Sequence, residues 1–161
     1  MKRIVFAFAL LGIALTTLLS AQGGDPNYGK PKRINKMIEL FMAGQPVYDV
    51  SVTGGGYEEG KKLAQTTNDF VMYEMEHGPF EPQRLRDFMQ GLVDGGPTKS
   101  GHRIPAVIVN VPVNGTDAAT VKANAWMFQQ VLAAGVHGIM LTHADNPGAP
   151  QPTLQLLGQA V

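Results

Sequence analysis

The chain of 161 residues contains no cysteine. That excludes disulfide cross-links and thiolate metal sites, so an ordinary hydrophobic core must hold any folded part. It also lacks an excess of either charge, with 13 basic and 13 acidic side chains. A nucleic-acid or anionic-membrane binder usually carries a basic footprint, and none is present. Low-complexity tracts and internal repeats are missing as well. The longest apolar run, Ile4–Leu19, covers 16 residues and is interrupted by Gly12, Thr16 and Thr17. Spanning a bilayer takes about 20.

What is present at the N-terminus is Met1-Lys2-Arg3, that apolar run, and then Ser20-Ala21-Gln22. A basic start, a short apolar segment and a small residue before polar sequence predict a secretory signal peptide over residues 1–21. The expected product is an exported, periplasmic protein. No cysteine follows the apolar run, which excludes a lipoprotein anchor, and cleavage after Ala21 leaves no stable membrane anchor. Removing residues 1–21 takes Lys2 and Arg3 and leaves two more acidic than basic residues. Residues 22–33 are polar and rich in Gly and Pro, a linker by composition. A single domain is expected over 34–161.

That domain alternates strand-like and helix-like patterns. Asn35 is placed to cap a helix carrying Met37, Ile38 and Phe41 and ending near Gly44. Residues 47–53 form a plausible strand leading into Gly54-Gly55-Gly56 and a helix over 57–66. A second strand covers 70–76. Pro82 opens a helix with Leu85, Phe88, Met89 and Leu92 at i, i+3, i+4 and i+7. Residues 104–113 form a third strand, in which Pro105 and Pro112 confine regular pairing to the middle. A helix over 118–134, a fourth strand over 138–142 and the start of a helix at 153–161 complete the pattern. Four strand–helix units predict parallel pairing with right-handed crossovers. The expected fold is α/β, the first half of a (β/α)8 TIM-type barrel, since a whole one takes about 250 residues. A four-stranded open α/β domain is the alternative.

The segment Phe70-Val71-Met72-Tyr73-Glu74-Met75-Glu76-His77-Gly78-Pro79 carries the chemistry. An apolar strand breaks into two carboxylates and an imidazole, groups costly to bury unpaired. Ionisable residues at the C-terminal end of a parallel strand mark the active-site end of such sheets. Thr53 with Gly54–Gly56, Asn110, and Thr142, His143 and Asp145 belong to the same end. Glu74 and Glu76 share a strand face if the strand continues that far. Two carboxylates beside an imidazole suit a hard divalent cation with a histidine general base. Acids just before a helix also favour its dipole, a purely structural alternative. Gly55 to Lys62 nearly fits a phosphate-binding loop but lacks the Ser/Thr after the lysine, so these glycines are read as a tight turn or a close backbone approach to a ligand. His102 and His137 precede their strands and are read as structural, and Trp126 and the methionines as packing.

The Asn35-Lys36 helix start, the Glu76-His77-Gly78-Pro79 turn, the Asn110-Val111-Pro112 strand end and the Ala134-Gly135 stop together resemble the HpcH/HpaI aldolase/citrate lyase family. The resemblance spans about residues 34–147, and the Glu–His pair in its strand context is its sharpest element. It implies an oligomeric (β/α)8 enzyme that cleaves or forms carbon–carbon bonds in 2-keto-acid aldols with Mg or Mn. It implies His77 as catalytic acid/base and Glu76 as organiser of the metal-bound water network. It places the metal ligands on later strands beyond Val161, with Glu74 and Glu76 adjacent to the ion's own ligands.

Three positions depart from the family pattern. Glu74 stands for Asp, Asn110 for an Arg that holds the keto acid, and Ala133 for an acid that assists the histidine. Losing a bidentate charged contact at Asn110 argues for an altered substrate, with Asn110, His143 and Gly55 expected to bind it. The partners expected are therefore a small 2-keto or hydroxy-keto acid and further copies of the chain, and no nucleic acid. The rival expectation is a non-catalytic exported binding protein on a degenerate aldolase barrel.

Overall fold

The computed structural model describes residues 34–145. The expected signal peptide, the linker and the helical start at 153–161 lie outside the described residues. Among the described residues no helix is long and apolar enough to cross a membrane.

Asn35 caps helix α1 (Lys36–Met42), its Oδ1 accepting the Ile38 N–H at 3.0 Å. The helix stops before Gly44, whose φ of +65° suits a residue without a Cβ. The apolar face expected on α1 does not reach the core: none of its residues is buried, and Phe41 and Met42 are exposed. Polar side chains hold this helix instead. Lys36 pairs with the buried Asp69, and Glu39 meets the buried His102, Oε1 to Nε2 at 3.0 Å. With these two anchors holding the helix, Met37, Ile38 and Leu40 are only half-buried and Phe41 and Met42 face out.

Next come β1 (Asp49–Thr53), α2 (Tyr57–Leu63), β2 (Phe70–Glu74), α3 (Pro82–Gly95), β3 (Ala106–Asn110), α4 (Ala118–Ala123), α5 (Ala125–Leu132) and β4 (Gly138–Met140). The four strands form one sheet in the order β1-β2-β3-β4, every pair parallel. The third strand is regular only over Ala106–Asn110, the stretch between Pro105 and Pro112, as a residue without an N–H dictates.

The helix expected over 118–134 is broken. Asn124, with φ −104° and ψ 16°, ends α4 and begins α5. Its Nδ2 donates to the Thr120 carbonyl at 2.9 Å, a side-chain bond of the kind that competes with the helical ladder. Gly135, at φ +84°, ends α5 as the sequence suggests.

Strand alternation sorts the core. Val71, Tyr73 and Met75 from β2 and its extension share one sheet face with Val107, Val109 and Val111. This face packs with Leu85, Phe88 and Leu92 of α3 and Phe128 and Val131 of α5. Tyr73 meets Phe88 edge-on, with ring centroids 5.0 Å apart. Helices α2 and α3 cross closely because they meet at glycines. A Cβ on Gly60 would invade the Phe88 carbonyl, and one on Gly91 the Tyr57 carbonyl.

The opposite face carries Phe70, Met72, Glu74, Ile108 and Asn110. Thr53, Glu74, Asn110 and Met140 occupy successive positions of a single register rung across the four strands. That rung, at the C-terminal ends, positions the site.

Candidate functional site

Strand β2 ends at Glu74 rather than continuing to Glu76 as expected, because the Glu74 side chain takes over the backbone beyond it. Its Oε1 accepts the N–H of Glu76 at 2.6 Å and of His77 at 3.2 Å. Local side-chain acceptors of this kind end a strand by offering its amides another partner. Met75 still donates its N–H to the Asn110 carbonyl at 2.9 Å, so the turn begins directly on the edge of the β2–β3 ladder.

The turn brings Glu76 over β3 and the end of β4. Its Oε1 accepts the Thr142 hydroxyl at 2.9 Å and lies 3.0 Å from His143 Nε2. Its Oε2 accepts from Asn110 Nδ2 at 2.9 Å. The same Nδ2 donates its other hydrogen to Glu74 Oε2, also at 2.9 Å. Asn110 is 5% exposed, and its Oδ1 is buried without a hydrogen-bond partner. His77 stands at the rim with 77% of its side chain exposed. Its Nδ1 is 3.5 Å from Glu74 Oε1 and 3.9 Å from Glu76 Oε2.

The electrostatics follow from these contacts. Burial pushes the Glu74 carboxyl up, but the Asn110 amide, the His77 and Glu76 N–H groups and the His77 ring together pull it below the usual range. For Glu76 the Asn110 amide is the chief influence, lowering the carboxyl. Burial opposes it, and Thr142, His77 and His143 add to the lowering. Both carboxylates are therefore charged at neutral pH, and the hydrogen bonds that keep them so come from β3, from the turn after β2 and from the segment after β4.

His143 completes the group with φ +50°. A left-handed conformation is uncommon for a residue with a Cβ, and such strain concentrates at functional sites. Asp145 shares the loop, and its N–H bonds the His143 carbonyl at 2.9 Å.

The structure thus brings together Glu74, Glu76, His77, Asn110 and His143, all singled out in the sequence. Gly55 lies apart, its carbonyl accepting the Tyr73 hydroxyl at 2.6 Å. Burial pushes that hydroxyl's pKa up to about 12, so it stays a donor. Gly55 lines a separate cavity with Thr53, Gly56, Glu59 and Arg84. Lys61 and Lys62 sit in the last turn of α2, away from its N-terminus. His102 and His137 serve the fold at the other end of the sheet: His102 Nδ1 is 2.9 Å from Ser100 Oγ, and His137 Nδ1 accepts the Val107 N–H at 3.0 Å. Trp126 stacks edge-on against Phe80 at 5.5 Å while remaining half exposed.

Two roles were not visible in the sequence. Thr142 is a direct partner of Glu76, and Asn110 spends both amide hydrogens on the carboxylates instead of holding them for a ligand. No pattern around Thr142 announces this; its distance in sequence from Glu76, 66 residues, is bridged only by the sheet. No protein-family model matches the chain, and no curated protein shows significant similarity to it.

Proposed function

We propose that this chain carries the acid/base half of a carbon–carbon lyase of the metal-dependent 2-keto-acid aldolase type, built on the first half of a (β/α)8 barrel. The observation that carries the reading is the convergence of Glu76 and His77 with Asn110, Thr142 and His143 at the C-terminal ends of consecutive parallel strands. Sequential strand order supports the barrel, because crossovers of one hand then lay every helix on the same side of the sheet. The other face, with Phe70, Met72, Ile108 and the exposed Met140, has the half-buried apolar character of an inner barrel wall.

His77 is the acid/base group. With Nδ1 turned toward the two carboxylates, Nε2 is the ring nitrogen left to face a substrate from the exposed rim. In cleavage it takes the proton from the substrate hydroxyl, the adjoining carbon–carbon bond breaks, an aldehyde leaves, and the resulting enolate is protonated to the keto acid. Condensation runs the same steps in reverse. Glu76, fixed by donors from β3 and from the segment after β4, stands 3.9 Å from the imidazole Nδ1 and helps orient the ring. An acid/base group positioned like His77 contributes about 10²–10⁴-fold to rate.

The residues present fit a divalent cation. Ligand atoms of Glu74, Glu76 and His77 lie within 4.8 Å of one another, and the carboxylates offer hard oxygen donors. Glu74 and Glu76 are the residues that would hold it, leaving His77 free for proton transfer. A bound Mg²⁺ or Mn²⁺ supplies Lewis-acid polarisation of the keto-acid carbonyl. Asn110, neutral and shorter than an arginine, favours a substrate other than a simple pyruvate adduct.

The test is an assay of the full-length protein against a panel of 2-keto acids and aldehydes with Mn²⁺. Turnover that falls at least 100-fold in His77→Ala is expected. Absence of turnover, together with metal-independent ligand binding that survives His77→Ala in calorimetry, would replace this reading with that of a binding protein.

A further inference from the structure

Between α3 and β3 the chain makes a tight turn. Gly101 donates its N–H to the Thr98 carbonyl at 2.9 Å, and Thr98 donates its own to the His102 carbonyl at 2.8 Å. The turn sets Ser100 beside His102, with Ser100 Oγ 2.9 Å from His102 Nδ1. Thr98 Oγ1, 3.0 Å from Ser100 Oγ, steadies the hydroxyl. On the far side of the ring, Nε2 is 3.0 Å from Oε1 of Glu39, which α1 brings in from 63 residues away. The contact that anchors α1 therefore also fixes the tautomer. An ionised carboxylate only accepts, so Nε2 carries the ring hydrogen and Nδ1 is bare. The Ser100 hydroxyl is then the donor to Nδ1. The His102 side chain is 3% exposed, whereas Ser100 is exposed. Both border a cavity of about 300 Å³, together with Thr98, Lys99, Ile104 and Pro105.

We propose that Ser100, His102 and Glu39 form a second site, a nucleophile–base–acid relay that hydrolyses short-chain carboxylic esters. A hydroxyl within hydrogen-bond reach of a base, which a third group orients, is the arrangement that activates a serine. Here Nδ1 faces the serine and Nε2 the acid; the chemistry needs only one bare and one protonated ring nitrogen. Ser100 Oγ attacks the ester carbonyl carbon while its proton passes to His102 Nδ1. The tetrahedral adduct collapses, the ester C–O bond breaks, and the leaving oxygen takes that proton to depart as the alcohol. Water then attacks the acyl carbon and gives a proton to Nδ1. The acid leaves as this proton returns to Oγ. Ester and water are consumed, and one acid and one alcohol are formed. Glu39 acts through the imidazole as a positioning residue and stabilises its protonated form in both halves. The N–H groups of Lys99 and Ser100 are the central amides of the turn, which its own hydrogen bond leaves uncommitted, so they are the donors at hand for the oxyanion. A small cavity with Ile104 and Pro105 in its wall suits a short acyl chain. This site lies at the opposite end of the sheet from Glu74, Glu76 and His77, and the claim stands apart from the lyase reading.

The experiment mixes the full-length protein with p-nitrophenyl acetate, follows release of p-nitrophenolate, and quenches in acid so that peptide mass spectrometry can locate the acyl group. The expected result is a burst stoichiometric with the chain and an acetyl group on Ser100. Ser100→Ala is expected to abolish both, and His102→Gln to slow acylation by about 100-fold or more. Glu39→Gln is expected to lower kcat by about tenfold or more with KM unchanged, a split that loss of a helix anchor alone does not produce. Should His102→Gln fail to fold, Ser100→Ala alters one exposed side chain and, with the position of the adduct, still decides the matter. No acylation at all, acetyl groups on lysines but not on Ser100, or phenolate release undiminished in Ser100→Ala overturns the proposal.

Discussion

Glu74 and Asn110 are register partners on neighbouring parallel strands, and the Asn110 carboxamide donates to the Glu74 carboxylate at 2.9 Å. Because they face each other across the ladder, a one-residue slip would put them on opposite faces and dismantle the site. The same amide reaches Glu76, so one buried side chain sets the spacing of both acids. That arrangement makes the central contact of the site a property of sheet register as well as of residue type.

Asn110→Ala removes both amide donors at once. The expected outcome is a loss of about 1–3 kcal/mol in folding stability, since two charged hydrogen bonds go and the acids are left facing each other. The Glu74 and Glu76 carboxyls are expected to titrate at higher pH than in the wild type. Urea unfolding and carboxyl-carbon NMR titrations check the two parts separately. Unchanged titration of both acids would mean that the amide does not hold them charged.

Thr142→Val keeps the side-chain shape and removes the hydroxyl donated to Glu76. Stability is expected to stay close to wild type, with activity on a turned-over aldol reduced several-fold through kcat. Loss of KM alone would instead assign Thr142 to substrate binding.

Gly91→Ala adds one methyl group where the α2 backbone passes too closely to admit it. Overpacking at a fixed helix crossing is expected to cost about 1–3 kcal/mol, measured as a shifted denaturant midpoint. Gly44→Ala, at a position with open space but a left-handed backbone, serves as the contrasting variant. It is expected to lose the smaller amount typical of conformational strain alone.

His137 gives a pH dependence whose sign is fixed. Its Nδ1 must remain unprotonated to accept the Val107 N–H, and burial lowers its pKa from the usual 6.5. The unfolded chain therefore binds a proton more readily than the folded one over the interval below 6.5. The stability this histidine contributes is complete above that value and is lost as pH falls through the folded-state pKa. Unfolding free energies measured from pH 7.5 to 5 are expected to decline more in the wild type than in His137→Asn. Parallel declines would remove His137 as the cause.

Much of this was legible along the chain because it depends on neighbours in sequence. The caps at Asn35 and Pro82, the stop at Gly135, the buried stripe of Leu85, Phe88, Met89 and Leu92, and the trimming of the third strand by two prolines are local matters of backbone geometry and periodicity. The candidates Glu74, Glu76, His77, Asn110 and His143 were equally visible, since an apolar strand that ends in polar groups announces where it meets solvent. Tertiary structure decided the rest. It broke the helix at Asn124, left α1 outside the buried core, and set Gly55 apart from the acids. It also decided that Glu74 would end its own strand, and that Asn110 and Thr142 would grip Glu76 from 34 and 66 residues away. Contacts of that kind depend on strand register and on the angles between packed elements, and no local pattern encodes either one.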